Sequence, residues 1–110
     1  MEDLLTKKCK PCEGGTPPLK NNEIKDYMKQ LSDGWKLEGE RKITRQYSFV
    51  NFRQTMDFVN KVAALAEDEG HHPVMHVYYG KAEIELWTHA INGLSENDFI
   101  LAAKIDSILL

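Results

Sequence analysis

The stretch His71-His72-Pro73-Val74-Met75-His76-Val77-Tyr78-Tyr79-Gly80-Lys81-Ala82-Glu83-Ile84-Glu85-Leu86-Trp87-Thr88-His89 decides the fold. Pro73 ends any helix that arrives from the N-terminal side, because proline donates no backbone hydrogen bond and pushes the residue before it out of the helical region. The residues after Pro73 are rich in β-branched and aromatic types. Val74 to Tyr79 and Lys81 to His89 therefore predict two strands joined through Gly80 as a hairpin. In the second strand Ala82, Ile84 and Leu86 point one way, and Glu83, Glu85, Trp87 and His89 the other.

Upstream the period changes. From Asn51, the residues Phe52, Met56, Val59, Ala63 and Ala66 fall on one helical stripe, widened by Phe58, Val62 and Leu65, with Gly70 as the exit. Before that helix, Trp35 to Leu37 and Lys42 to Phe49 read as strands around Glu38-Gly39-Glu40, and Ile43, Arg45 and Tyr47 alternate with Lys42, Thr44 and Gln46. An earlier helix is predicted after Asn21 and Asn22, with Ile24, Tyr27, Met28 and Leu31 at i, i+3, i+4 and i+7, ending near Ser32-Asp33-Gly34. Downstream, Ser95-Glu96-Asn97-Asp98 is an S-x-x-D capping sequence opening a last helix with Leu101, Ile105 and Ile108 inward. The order α-β-β-α-β-β-α predicts an α+β domain of two layers, a four-stranded and mainly antiparallel sheet with three helices on one face. Proline and glycine punctuation sets residues 1–20 apart as an N-terminal arm, leaving 21–110 as the domain.

At 110 residues and 42% hydrophobic composition the chain fits one core. A net charge of -3 argues against an electrostatically driven nucleic-acid binder, which needs clustered Lys and Arg. No apolar run approaches the ~20 residues that span a bilayer, and Met1-Glu2-Asp3 does not start a signal peptide, so a cytoplasmic location is expected. Cys9 and Cys12 form a lone CxxC. Without a second pair, and followed by Glu13-Gly14-Gly15-Thr16-Pro17-Pro18, it reads as part of the arm before it reads as a zinc or redox site, although an oxidising compartment could close it into a local disulfide.

His71, His72 and His76 fall close together, and His89 ends the next strand. A helical HxxxH would suit zinc, but Pro73 lies inside His72 to His76, and along a strand that pair would be about 13 Å apart. The other reading is acid-base chemistry without metal, since an imidazole with pKa near ~6.5 can both give and take a proton at neutral pH. Glu67, four residues before His71, could orient an imidazole or hold its charged form.

Glu67, His71, His72, Pro73, Tyr79, His89 and Asp98, in that order and at those gaps, resemble the motif of the pterin-4a-carbinolamine dehydratases. Gly34-Trp35, Thr88-His89 and Gly93-Leu94-Ser95 are similar to that family as well, so the resemblance covers about residues 21–110. The arm is an addition to the family's minimal domain, though some members carry a similar CxPCxGG segment. Val74, Met75 and His76 depart from the family's usual residues after His-His-Pro. The resemblance implies loss of water from a 4a-hydroxytetrahydropterin, with His71, His72 and His89 catalytic and Glu67, Pro73, Trp35, Thr88 and Asp98 binding substrate or supporting the site. It implies no metal and no cofactor, a homodimer or homotetramer, and a place beside an aromatic amino-acid hydroxylase in tetrahydrobiopterin recycling. It leaves open a transcription-factor dimerisation module or another pterin-related task. Taken singly, the residues have plainer readings: His71 and His72 complement a helix C-terminus, Asp98 partners Ser95 in a capping box, and Trp35, Trp87 and Tyr79 pack.

Overall fold

The computed structural model describes residues 4–10 and 17–109; Cys12, and with it the pairing of the CxxC motif, lies outside the described residues. The longest helix, α2, runs over Phe52–Glu69. The Asn51 side-chain oxygen caps it by accepting from the Gln54 backbone N–H at 2.9 Å, and it stops at Gly70, whose φ of 68° lies in the left-handed region where a side chain would be strained. Its buried face is Thr55, Phe58, Val59, Val62 and Ala66, rotated from the expected stripe, and Phe52 is exposed. The rotation follows from Thr55, whose hydroxyl lies 3.0 Å from the Tyr79 carbonyl oxygen and ties the first turn of the helix to the hairpin.

The four strands are β1 (Lys36–Glu38), β2 (Lys42–Ser48), β3 (Val74–Tyr78) and β4 (Lys81–Leu86), in the order β1-β2-β4-β3 with every pairing antiparallel. Ile43 lies opposite Leu86 and Tyr47 opposite Ala82, so the inward side chains of the two central strands form one apolar surface. That surface, with Ile84, packs into a single core with Phe58 and Val62 of α2 and with Phe99, Leu101 and Ile105 of the last helix. Burying each large side chain contributes roughly 1.5–3 kcal/mol. The domain is thus the two-layer α+β arrangement expected.

The predicted bounds change most at the first helix and the last strand, and the last helix is buried more widely than expected; β1, β2 and β3 shift by one residue at one or both ends. Helix α1 is Asn21–Met28, shorter than expected and capped at Lys20, whose backbone N–H donates to the Glu23 carboxylate at 3.0 Å, so the asparagines lie inside the helix. Strand β4 ends at Leu86, because Thr88 turns aside to pair with Gly93 (N–H to O, 2.8 Å) and His89–Ile91 close a 3-10 turn with Asn92 at φ 51°. Gly93 has to be glycine for space: a Cβ there would lie 2.8 Å from the Cβ of Pro18. Helix α3, Glu96–Ser107, is buried on far more than one stripe, at Phe99, Ile100, Leu101, Ala102 and Ile105. It is covered by α1, by α2 and by the N-terminal residues, where Leu4 enters the core from a 3-10 turn at Leu4–Thr6.

Candidate active site

Two ends of the core meet where α2 stops and α3 starts. Gly70 turns the chain out of α2, and His71 comes directly after it, with its backbone N–H on the Ala66 carbonyl. Pro73 then begins the approach to β3. On the other side, the first turn of α3 presents Asp98. The Asp98 carboxylate is fully buried, and its Oδ1 lies 2.6 Å from His71 Nε2. Its Oδ2 accepts from the Thr88 hydroxyl at 2.8 Å and from the Ser95 backbone N–H at 3.0 Å. The Ser95 hydroxyl lies 2.7 Å from Thr88 Oγ1, and because the Thr88 proton goes to Asp98, Ser95 donates in that contact. A carboxylate can only accept, so Nε2 of His71 carries a proton toward Asp98, and Nδ1 is the nitrogen left for chemistry. Asp98 is therefore both the capping partner of Ser95 and the anchor of His71.

A cleft of about 360 Å³ opens beside this pair, walled by His71, His72, Pro73, Trp87, Thr88, His89 and Asn97, with Lys10 at its rim. His89 stands on the 3-10 turn, its ring 4.0 Å from the indole of Trp87 by centroids and tilted 42°. His72 Nε2 contacts the Glu67 carboxylate at 2.5 Å, but both side chains are largely in solvent, 59% and 78% exposed, against 12% and 0% for His71 and Asp98. The cleft thus gathers His71, His72, His89, Pro73 and Thr88, with Asp98 behind them and Glu67 at the margin.

One expected site residue lies elsewhere, as does Tyr79 of the motif. Trp35 is buried at the opposite end of α3, where its Nε1–H donates to Asp106 at 2.9 Å and its ring meets Tyr47 edge-on. Tyr79 sits exposed at the hairpin turn. The cleft also takes in residues that are not among the expected site residues, notably Trp87, Asn97 and Lys10. The alternation that sets Trp87 on the same side as His89 is a usable signal for the first. Nothing in the sequence marks the other two, which arrive through packing between the arm and α3.

His76 is not in the cleft. It lies on the open face of the sheet with Glu83 and Glu85, their ligand atoms within 4.8 Å of one another, where Lys42 already holds Glu85 at 2.5 Å. The hydrogen bond from Lys42, and then the one from His76, keep the Glu85 carboxyl below the usual carboxylate range. Cys9 has the opposite character to a redox cysteine: burial, and then the negative charge of Glu69, push its thiol up to about 12, so it stays protonated at neutral pH.

The fold and the cleft define a two-layer α+β domain that presents several imidazoles, one of them pinned by a buried carboxylate, to a single small-molecule cavity. Residues 17–108 match the family described as Pterin 4 alpha carbinolamine dehydratase. A candidate pterin-4-alpha-carbinolamine dehydratase of Nitrosomonas eutropha is 55% identical over 98% of this chain and 95% of its own. One of Rickettsia canadensis is 50% identical over 97% and 98%. Among solved structures, a transcriptional coactivator/pterin dehydratase from Brucella melitensis is 33% identical with a TM-score of 0.77, covering 83% of this chain and 97% of that one. A pterin dehydratase-like protein identified as a RuBisCO assembly factor in the alpha-carboxysome is 25% identical with a TM-score of 0.59, over 68% and 88%. The chain belongs to the pterin-4a-carbinolamine dehydratase family and is a hydro-lyase.

Proposed function

We propose that this chain converts a 4a-hydroxytetrahydropterin to the quinonoid dihydropterin and water by histidine acid-base catalysis, without a metal, in recycling of tetrahydrobiopterin or a related pterin. The observation that carries this reading is the His71–Asp98 pair opening onto a cleft shared with His72 and His89. In the reaction the C4a–O bond breaks as an imidazolium gives its proton to the hydroxyl, which leaves as water. The N5 lone pair forms the C4a–N5 double bond, and a second imidazole takes the proton from N5. His71, His72 and His89 share these two transfers. Asp98 and Thr88 hold His71, Glu67 supports His72, and Pro73 fixes the chain between the histidines and β3.

The chain acts in the cytoplasm as a homodimer or homotetramer. Exposed Val74, Val77, Tyr78 and Tyr79 on and beside the edge strand β3 support association of copies. A second reading, an interaction module, draws support from the coactivator named in the Brucella neighbour. Stopped-flow measurement of 4a-hydroxytetrahydropterin breakdown tests the enzyme. Wild type should accelerate it and be indifferent to a chelator, and His71→Ala, His72→Ala and His89→Ala should together account for a loss of about 10²-fold or more. No acceleration by wild type would refute the dehydratase reading, and strong inhibition by chelator would refute its metal-free form.

A further inference from the structure

We propose that residues 7–10 form a clamp that positions the His71–Asp98 pair, making the N-terminal segment part of the catalytic architecture. This rests on the dehydratase reading above. The two members of the pair come from different elements, the exit of α2 and the first turn of α3. A short hydrogen bond between them is only as precise as the spacing of those two chain ends. The N-terminal segment bonds to both, and at residues neighbouring the pair in sequence. The Cys9 backbone N–H donates to Glu69 Oε1 at 2.9 Å, two residues before His71. The Lys10 backbone N–H donates to Asn97 Oδ1 at 2.9 Å, and Asn97 Nδ2 returns a hydrogen bond to the Lys10 carbonyl at 2.6 Å, one residue before Asp98. The Cys9 thiol reaches the Asn97 carbonyl at 3.5 Å, and Lys7 Nζ pairs with Glu96 at 2.7 Å.

Adhesion and alignment are separate here. Leu4, 1% exposed, supplies the apolar anchor that keeps the segment on the domain. The polar contacts of residues 7–10 are directional, and a reciprocal amide pair such as Lys10–Asn97 fixes register as burial alone does not. Lys10 and Asn97 also border the cleft beside His71. The match to the family begins at residue 17, so the clamp lies outside the part of the chain that defines the family. Glu69 has a second partner, Lys104 Nζ at 2.9 Å, which also links α2 to α3, through Glu69 and not through the hydrogen bonds of residues 7–10. That difference supplies the control.

Glu69→Ala and Asn97→Ala should be compared with Lys104→Ala in the full chain. The readouts are kcat and KM separately, the pH profile of kcat, the thermal midpoint, and the His71 imidazole resonances. Each clamp variant should lower kcat by about tenfold with KM nearly unchanged, and should move both the pH profile and the His71 resonances. Asn97→Asp, which keeps the acceptor for Lys10, should recover part of the loss. Lys104→Ala should cost thermal stability and leave kcat and His71 as in wild type. The resonances read the clamp without turnover. If wild type proved inactive while Glu69→Ala still moved His71, the clamp would stand and the dehydratase reading would fall. Clamp variants that lower only the thermal midpoint, or lower kcat with His71 unmoved, would overturn the clamp.

Discussion

Helix α3 carries a carboxylate near each end, and the two are set in opposite ways. Asp98, in the first turn, gathers the Thr88 hydroxyl, the Ser95 backbone N–H and one imidazole. Asp106, in the last turn, gathers Arg45 Nη1 at 2.9 Å, Tyr47 Oη at 2.5 Å, Ser32 Oγ at 2.8 Å and Trp35 Nε1 at 2.9 Å. An anion suits the N-terminus of a helix and is disfavoured at the C-terminus, so Asp106 needs the Arg45 guanidinium that Asp98 does without. The partners also differ in what they can do. Burial, and then Asp106 itself, drive the Tyr47 phenol far above its ordinary value, so the donors around Asp106 hold their protons throughout the neutral range. Among these partners His71 is the imidazole, whose second ring nitrogen is free of Asp98, and with Thr88 it borders the cleft that holds the other histidines. One end of α3 is a knot that holds the sheet to the helix; the other is a knot with one imidazole strand.

The largest effect on stability should come from the knot without that strand. Asp106→Ala strands Arg45, Tyr47 and Trp35 in a mostly buried setting, at a cost of about 3 kcal/mol. Thermal denaturation should show it as a drop of roughly 10 °C or more, while kcat measured on the folded protein stays near wild type. A matching collapse of kcat below the melting range would erase the functional distinction between the two ends.

A smaller effect should appear in acid at the Asp98 end. Burial works against the Glu69 charge, but the hydrogen bonds from the Cys9 N–H and Lys104 outweigh it and hold the carboxyl below its ordinary value. Glu96 is likewise held low, with Lys7 and Tyr27 outweighing burial. A carboxyl depressed on folding contributes stability above its unfolded pKa and loses it as pH falls through the folded value. Contacts of residues 7–10 should therefore weaken once pH drops below about 4.3. Hydrogen exchange at the Cys9 and Lys10 amides would read this, and protection that persisted unchanged to the acid limit of the fold would contradict it.

The two ends of α3 also differ in how legible they are in the sequence. The helices, the strands and their order come from periodicity and from Pro73, because those signals are local. The Asp98 end is legible too, since the spacing from Glu67 to Asp98 lies within one continuous stretch. The Asp106 end is not: Trp35, Arg45 and Tyr47 meet Asp106 only through tertiary packing, and Trp35, expected near the histidines by resemblance, is drawn to that carboxylate by its indole N–H. Lys10 and Asn97 escape a sequence reading for the same reason. The early end of β4 is hidden in the Thr88–Gly93 bridge, because β-branched Thr88 reads in sequence as a continuation of the strand.

The smallest effect belongs to the neighbouring histidine. His72 and Glu67 are adjacent to the buried pair in sequence yet mostly in water, where such a contact is weak. Glu67→Gln should change kcat by less than about twofold and leave the thermal midpoint alone, as an exposed pair allows. A loss as large as that of a buried-pair variant would show that burial does not separate the two histidine contacts.

The most direct test is the single-turnover dehydration rate of Asp98→Asn against wild type and Asp106→Asn, at a temperature where all three are folded. Asparagine keeps the shape of residue 98 but not a carboxylate that accepts from three donors, so His71 loses its held proton position. Asp98→Asn should slow the reaction by at least about 10²-fold, while Asp106→Asn stays close to wild type. Equal rates in the two variants would contradict a reaction that runs through the His71–Asp98 pair.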